Sequence, residues 1–449
     1  MLEKKLHIDR QSLLELEIIS ENERTVSIFD LLNETKTTGG KDKLRKIFLN
    51  PFCDIEKIKE QQELTRFLAE VERPWKFPLN DKLMDHIEYY YFLNIDPVVS
   101  KNKLVNLIEG TRYLILYHSY VKTFREGAKH LILYFQQLNS FVNLHDNGKM
   151  PNRLKEILTE IKQYLSLPFA KELIEANPKK GASFTQLFYL DKSFRDTFKE
   201  EMSLLINLTY ELDVFIAMAK ASKKFQFAFP EFTESENSHL EIKGLWHPFV
   251  KGPKKNDANF GKDNFFMFLT GPNMAGKTTF LKACGLAVYL AHLGFGVPAE
   301  SMSLSVFDSI FSSINTSDNL RKGYSYFYSE VLRVKEAASL LKSHKHSFII
   351  FDELFRGTNV KDALDGSLLV INGLIKWPSS VFILSSHLLE LSKEISSTKG
   401  FQFAYFESDI IDNKPIFSYK LNEGVSNERL GLLILENEGI SELLEPEES

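Results

Sequence analysis

The sequence predicts an α + α/β chain, an all-helical first part followed by a P-loop α/β part built on a mostly parallel sheet. Three observations lead there. Up to about residue 228 apolar residues recur with helical period and strand signals are nearly lacking. After "AFPEFTESENSH" the short apolar runs "FFMFLT" (265–270), "SFIIFDE" (347–353) and "VFILSSH" (381–387) alternate with helical stretches, and each ends in polar residues. That is the pattern of parallel strands covered by helices. A glycine-rich turn, "GPNMAGKT", stands between the first of these strands and a helix.

A chain of 449 residues is too long for one ordinary core. The change of pattern divides it into a helical domain, 1–235, and an α/β domain, 236–449. With 43% hydrophobic and 26% charged residues it has the composition of a folded protein. The formal net charge of -5 excludes a global basic field, so any nucleic-acid contact must come from a local basic surface. Two cysteines, Cys53 and Cys284, make no disulfide framework and suit a reducing compartment. The start "MLEKKLHIDRQ" has no apolar signal core, and no run reaches the roughly 18–20 apolar residues of a membrane span. The expectation is a cytoplasmic protein with no membrane partner.

Within the helical part, "DIEKIKEQQELTRFLAEV" has Asp54 as an N-cap, with Ile55, Ile58, Leu64, Phe67, Leu68 and Val71 on one face. Two long helical runs follow, 103–142 and 184–225, separated by "HDNGKMPN" and the short helix "NRLKEILTEIKQYL". Long helices joined near their tips fit a projecting arm or a plain bundle, and periodicity does not choose between them.

The turn fits G-x-x-x-x-G-K-[ST] as Gly271, Gly276, Lys277 and Thr278. Such a loop wraps phosphates in backbone N–H groups at a helix N-terminus; here it comprises Gly271, Pro272, Asn273, Met274, Ala275 and Gly276, followed by Lys277, Thr278 and Thr279. Lys277 can reach the β- and γ-phosphates of ATP, and the Thr278 hydroxyl can ligate Mg2+. "SFIIFDE" supplies Asp352 as the second magnesium residue and Glu353 as general base for the attacking water. His387, at the end of "VFILSSH", is placed to sense the γ-phosphate. "SHKHS" sets His344 beside His346 with no cysteine or carboxylate cluster, which reads as a surface loop rather than a zinc site.

These motifs carry a family resemblance. "TGPNMAGKTTFLKACGLAVYLAHLGFGVPAES" resembles the ATPase domain of the MutS family of DNA mismatch-repair proteins, whose phosphate loop reads TGPNMxGKST before a helix ending in a G-x-x-VPA turn. "TSDNLRKGYSYFYSEV" is similar to the family's signature segment ending in G-x-S-T-F, which implies that Ser325 reaches a partner's γ-phosphate, supported by Gly323 and Phe327 and preceded by Asp318 and Asn319. Tyr326 replaces the threonine. "DELFRGTN" resembles DEIGRGTS, keeping Asp352, Glu353, Arg356, Gly357 and Thr358; Phe355 stands where glycine is usual and Asn359 where serine is usual, which implies an altered contact with the partner subunit. "SSHLLEL" resembles THYFEL at His387, and "LWHPFV" the RHP turn at His247 and Pro248. The family's adenine-stacking aromatic has no equivalent in "KGPKKNDANF", and Tyr419 in "FSYKLNEG" is the candidate to take over part of that role.

The resemblance extends upstream, through "SIFDLLNETKTTGGKDKLRKIFLNPFCDIEKI" and "ELDVFIAMAKASKKFQFAFPEF", to the family's helical core and lever helices. It implies an ABC-type ATPase that dimerises through composite sites, a homodimer acting on DNA independently of sequence, with ATP and Mg2+ as cofactors and repair proteins as further partners. It favours the projecting-arm reading. Departures bear on the target. The chain starts directly at the helical core, without the aromatic-wedge domain, and the stretch between the long helices is too short for the strand-rich clamp. Lysines and arginines of "GKMPNRLK" and "NPKKG" remain as possible phosphate contacts. A nucleotide-gated protein-interaction switch, or an ATPase acting on branched DNA or RNA, are the rival readings. "RLGLLILENEGISELL" is similar to the start of the family's dimerisation helices.

Overall fold

The computed structural model describes residues 5–22, 24–94, 105, 108, 112, 115, 118–145, 148–177, 183–314, 326–396, 398–411, 414–426 and 440. Ser325, with Gly323, Asp318 and Asn319, lies outside the described residues, as do Lys179, Lys180 and nearly all of the carboxyl-terminal segment after 426. The chain forms two compact units: residues 1–31, 50–62 and 222–449, and residues 32–49 and 63–221.

In the α/β unit the strands are β1 (His7–Ile8), β2 (Glu231–Phe232), β3 (Leu240–Leu245), β4 (Asn256–Phe260), β5 (Phe266–Thr270), β6 (Ser301–Leu304), β7 (Ser309–Ser313), β8 (Ser347–Asp352), β9 (Val381–Ser385), β10 (Phe401–Ile411) and β11 (Lys414–Glu423). Seven form one sheet in the order β1-β7-β8-β9-β5-β10-β11, and all neighbours are parallel except β10 and β11. Every residue of β5, β7, β8 and β9 is buried, which explains why these strands read as unbroken apolar runs. Each fully buried phenylalanine there, such as Phe266 or Phe268, contributes about 1.5–3 kcal/mol. A second sheet, β2-β6-β3-β4, completes the unit.

The two units are not consecutive along the chain, because two early segments pack with the α/β unit. His7 and Ile8 pair with Ser309 and Ile310 at the sheet edge, a strand that helical periodicity did not reveal. Phe52 donates its N–H to the carbonyl of His292, whose fully buried ring meets the Phe52 carbonyl at 2.6 Å and accepts from the N–H of Phe307 at 3.2 Å. Glu15, also buried, accepts from the Ser312 hydroxyl at 2.7 Å and the Ile314 N–H at 2.9 Å. These bonds satisfy groups that would otherwise be buried without partners.

The helical unit contains Thr38–Phe48, Asp81–Tyr91, His118–His145, Asn152–Leu165, Pro168–Glu175 and Phe184–Lys192, the second half of Ile55–Glu70, and the greater part of Lys199–Phe225. Its buried side chains form one cluster from Leu64 to Ala219, in which Leu154, Ile157, Ile161, Phe169 and Leu173 of the two short connecting helices take part. The connection is therefore packed into a bundle core. The run 184–225 is not one helix: residues Ser193–Thr197 make a π turn, where Asp191 binds Arg195 at 2.6 and 2.7 Å and accepts the Tyr90 hydroxyl at 2.6 Å. Lys199–Phe225 is long and apolar enough to cross a membrane, against the expectation from the sequence, but 78% of its apolar window is buried inside the protein. Arg153, from the basic "GKMPNRLK", is committed to Glu211 at 2.7 Å, and Lys43 joins the same carboxylate at 3.1 Å.

Asp213 organises the start of Thr38–Phe48. Its carboxylate accepts the N–H groups of Lys36 and Thr37 at 2.9 Å and the Thr37 hydroxyl at 2.7 Å, while Thr37 caps the helix through the Gly40 N–H at 3.0 Å. A Cβ on Gly40 would lie 2.3 Å from an Asp213 oxygen, which accounts for glycine there. Burial pushes the Asp213 carboxyl up to about 6, against the pull of Thr37 and Lys36. A carboxyl raised on folding favours the native state while protonated, so its contribution is full below the unfolded value near 3.8 and is lost as pH rises through 6. Relative to Asp213→Asn, the wild type is expected to lose about 3 kcal/mol between pH 3 and pH 7. Urea unfolding of both proteins at the two pH values checks this; a pH-independent difference would refute it.

Candidate nucleotide site

The carboxyl ends of β5, β8 and β9 are neighbours in the sheet, and the site gathers there, where parallel sheets place their ligands. β5 ends at Thr270, the loop 271–276 follows, and helix Lys277–His292 begins at its N-cap, Gly276. Gly271 and Gly276 have φ of 133° and 105°, which side chains rarely adopt, and a Cβ on Gly271 would meet the Phe406 carbonyl at 2.9 Å. Met274 takes φ 69° and is 76% exposed, so the middle of the loop stands open.

Lys277 is buried and donates to the carbonyls of Gly271 at 2.7 Å and Pro272 at 3.1 Å. Burial lowers its pKa, against the raising effect of Glu353 and Asp352. Thr278 donates its hydroxyl to Asp352 Oδ2 at 2.6 Å, and Ser385, at the end of β9, donates to Asp352 Oδ1. The adjacent Glu353 is held at both oxygens, by His387 Nε2 at 2.8 Å and Arg356 Nε at 2.8 Å. Burial pushes its carboxyl up, but His387, Arg356 and Lys277 outweigh that and hold it below the usual carboxylate range. His387 Nε2 also lies 2.8 Å from Asn273 Oδ1 and 3.4 Å from Lys277 Nζ. Residues separated by over a hundred positions thus make one connected cluster, with cation, hydroxyl, carboxylates and imidazole around the glycine-rich loop.

Beside the loop opens a cavity of about 460 Å3, lined by Trp246, His247, Val250, Pro253, Asn256, Met274, Gly276, Thr279, Phe406 and Tyr419 among others. Its size and apolar walls suit a flat heterocyclic ligand. Tyr419 sits at φ 55° with its carbonyl accepting from Asn256 Nδ2 at 3.0 Å. Its ring would be 3.4 Å from a Cβ on Gly276, which places it directly against the loop. Burial brings the His247 imidazole down to about 4.

Several residues of this region escape sequence reasoning. Trp246 lines the cavity but precedes the His247–Pro248 turn, whereas the family resemblance implies an aromatic after it. Ser385 was one of many serines, with no local mark. Glu330 is buried on helix Tyr326–Ser343 and takes up the loop after β8; its sequence signal is a carboxylate on the face of Phe327, Val331 and Val334. Phe355, at the usual glycine position, is buried at φ 62° with its ring 5.6 Å from Phe327, so its side chain packs within the chain's own core. His344 and His346 do not form a cluster of metal-ligating type among the described residues; His346 Nδ1 lies 3.1 Å from the Ser379 carbonyl.

Comparison with known proteins follows the same lines. The family model described as MutS domain V matches residues 267–444, and MutS domain III matches residues 11–327. The DNA mismatch repair protein MutS of Listeria monocytogenes is 28% identical over 326 residues, covering 70% of this chain and 37% of that protein. MutS of Staphylococcus haemolyticus is 30% identical over 258 residues, 56% of this chain and 28% of that protein. MutS of Petrotoga mobilis is 24% identical over 521 residues, 96% of this chain and 62% of that protein. The chain spans little more than a third of the length of the first of these relatives. A match running from residue 11 to 327 takes in more than half of the chain, far beyond any phosphate loop, and the chain belongs to the MutS family.

Proposed function

We propose that this protein is an ATP-hydrolysing conformational switch that acts on DNA in mismatch repair or DNA maintenance. The observation that carries the reading is the Thr278–Asp352 contact, with Lys277, Glu353 and His387 gathered at the same loop. The N–H groups of residues 273–276 hold the phosphates of ATP at a helix N-terminus, and Lys277 turns from the loop carbonyls to the β- and γ-phosphates. Tyr419 and Trp246 flank the base. The hydroxyl of Thr278 and the carboxylate of Asp352 are hard oxygen donors that fit Mg2+, which when bound supplies charge neutralisation to the phosphates. Glu353 orients the attacking water and accepts its proton, and His387, already between Asn273 and Glu353, registers the γ-phosphate.

Ser325 completes the site from a second copy, so the active form is a homodimer through the α/β units. Loss of the γ-phosphate reopens it, and the difference between ATP and ADP contacts biases the lever helices of the helical unit. The names of the relatives support DNA as the target. Cys53 and Cys284, which are not joined in a disulfide, support a reducing, cytoplasmic setting.

Fluorescence anisotropy with homoduplex, mismatched duplex, branched DNA and single-stranded RNA tests the target. Each is measured without nucleotide, with ADP and with ATP plus magnesium, at two salt concentrations. Binding to DNA that weakens with salt and changes with nucleotide is the expected result. Preference for branched DNA or RNA would redirect the function, and no binding in any state despite ATP hydrolysis would point to a protein-directed switch.

A further inference from the structure

We propose that Glu330 is a positioning residue for ATP hydrolysis, pinning the loop after β8 so that Arg356 holds the Glu353 carboxylate in place. The inference rests on the ATPase reading above.

Glu330 lies on helix Tyr326–Ser343 among Phe327, Val331 and Val334, which pack against the apolar core. A carboxylate on such a face is costly unless hydrogen-bonded. Its two oxygens accept backbone N–H groups from Arg356 at 3.3 Å and from Gly357 at 3.5 Å. With its backbone fixed there, Arg356 folds back over the strand end, donating from Nη2 to the Asp352 carbonyl at 2.7 Å and meeting Glu353 Oε2 through Nε at 2.8 Å. One chain of contacts therefore runs from Glu330 through Arg356 to Glu353.

The loop needs such an anchor. Glu353 and Phe355 both take left-handed conformations, φ 61° and 62°, which are unfavourable for residues with side chains and persist only where surroundings enforce them. The same helix supplies two of those surroundings, the Glu330 oxygens and the Phe327 ring against Phe355. With the Glu330 contacts gone, the strained loop is free to relax, and Arg356 no longer fixes where the Glu353 carboxylate points.

The test compares wild type, Glu330→Ala, Glu330→Gln, Arg356→Ala and the Glu330→Ala/Arg356→Ala double variant. Turnover is measured with ATP and affinity by titration with a fluorescent ATP analogue. Glu330→Ala is expected to lower kcat at least about 10-fold with affinity kept within about threefold, the pattern of a group acting on the chemical step. Glu330→Gln, which keeps one acceptor oxygen, recovers part of that loss. The double variant is no slower than Arg356→Ala, because the two act through one path. Wild-type turnover in Glu330→Ala, an equal loss of affinity and rate, or losses that multiply in the double variant would each overturn the proposal. If Glu330→Ala does not fold, the same cycle is run with Glu330→Gln. Absence of hydrolysis in the wild type, or hydrolysis unchanged in Lys277→Ala, overturns the ATPase reading and this proposal with it; the other outcomes overturn this proposal alone.

Discussion

Glu353→Ala is expected to bind ATP and hold it unhydrolysed. The carboxylate sits one residue beyond Asp352, with both oxygens engaged by His387 and Arg356, and its charge is retained because those partners outweigh the burial penalty. A carboxylate kept ionised beside the proposed γ-phosphate position is equipped to orient a water and take its proton. Removing a general base of this kind lowers turnover about 10²–10⁴-fold. The proposed phosphate cradle consists of other residues, Gly271 to Thr278, so affinity is expected to persist. Single-turnover hydrolysis and the release rate of labelled nucleotide measure both effects. A Glu353→Ala protein that hydrolyses at the wild-type rate would show that the base lies elsewhere.

Lys277→Ala is expected to lose nucleotide binding. Its ammonium is buried and spends its hydrogen bonds on the Gly271 and Pro272 carbonyls of the loop itself. Phosphate oxygens offer this cation much stronger partners than neutral carbonyls. At about 1.5–3 kcal/mol for each hydrogen bond to a charged group, two such contacts correspond to at least about 100-fold in affinity. The protein without nucleotide should not lose stability in proportion, since the variant no longer buries a cation. Equilibrium titration with a fluorescent ATP analogue and thermal unfolding without nucleotide separate the two effects. Affinity within a few-fold of wild type would remove Lys277 from the phosphate site.

The parts of the site that are legible in the sequence are those whose chemistry is local. A strand, a turn needing positive φ and a helix N-terminus follow one another between 266 and 292, so glycines at 271 and 276 and the lysine after them mark the loop without any tertiary information. Asp352 and His387 are readable because each ends a short apolar run, and parallel strands present their carboxyl ends on one side. Tyr419 was reached only through the family resemblance; its closeness to Gly276 depends on β10 and β11 returning beside β5.

Other features depend on chain segments meeting across long separations, which no periodicity records. The two-residue strand His7–Ile8 is too short to show alternation, and it exists because the edge of β7 offers it partners. Ser385 on Asp352, Glu330 on the loop after β8, and Glu15 on Ser312 and Ile314 are single polar side chains whose role lies wholly in what faces them. The π turn at Ser193–Thr197 accompanies a buried polar network of Asp191, Arg195 and Tyr90, while the sequence there has an ordinary helical pattern.

By itself, then, the sequence determined the α + α/β class, the strand ends that carry the glycine-rich loop and acidic pair, and the resemblance to the MutS family, because periodicity, turn stereochemistry and motif spacing are properties of neighbours along the chain. Only the tertiary structure decided which unit residues 5–31 and 50–62 join, that Arg153 is spent on Glu211, and that Glu353 is clamped between His387 and Arg356. Those outcomes are set by polar groups finding partners, most of them far away in sequence, and that pairing is decided when the chain packs.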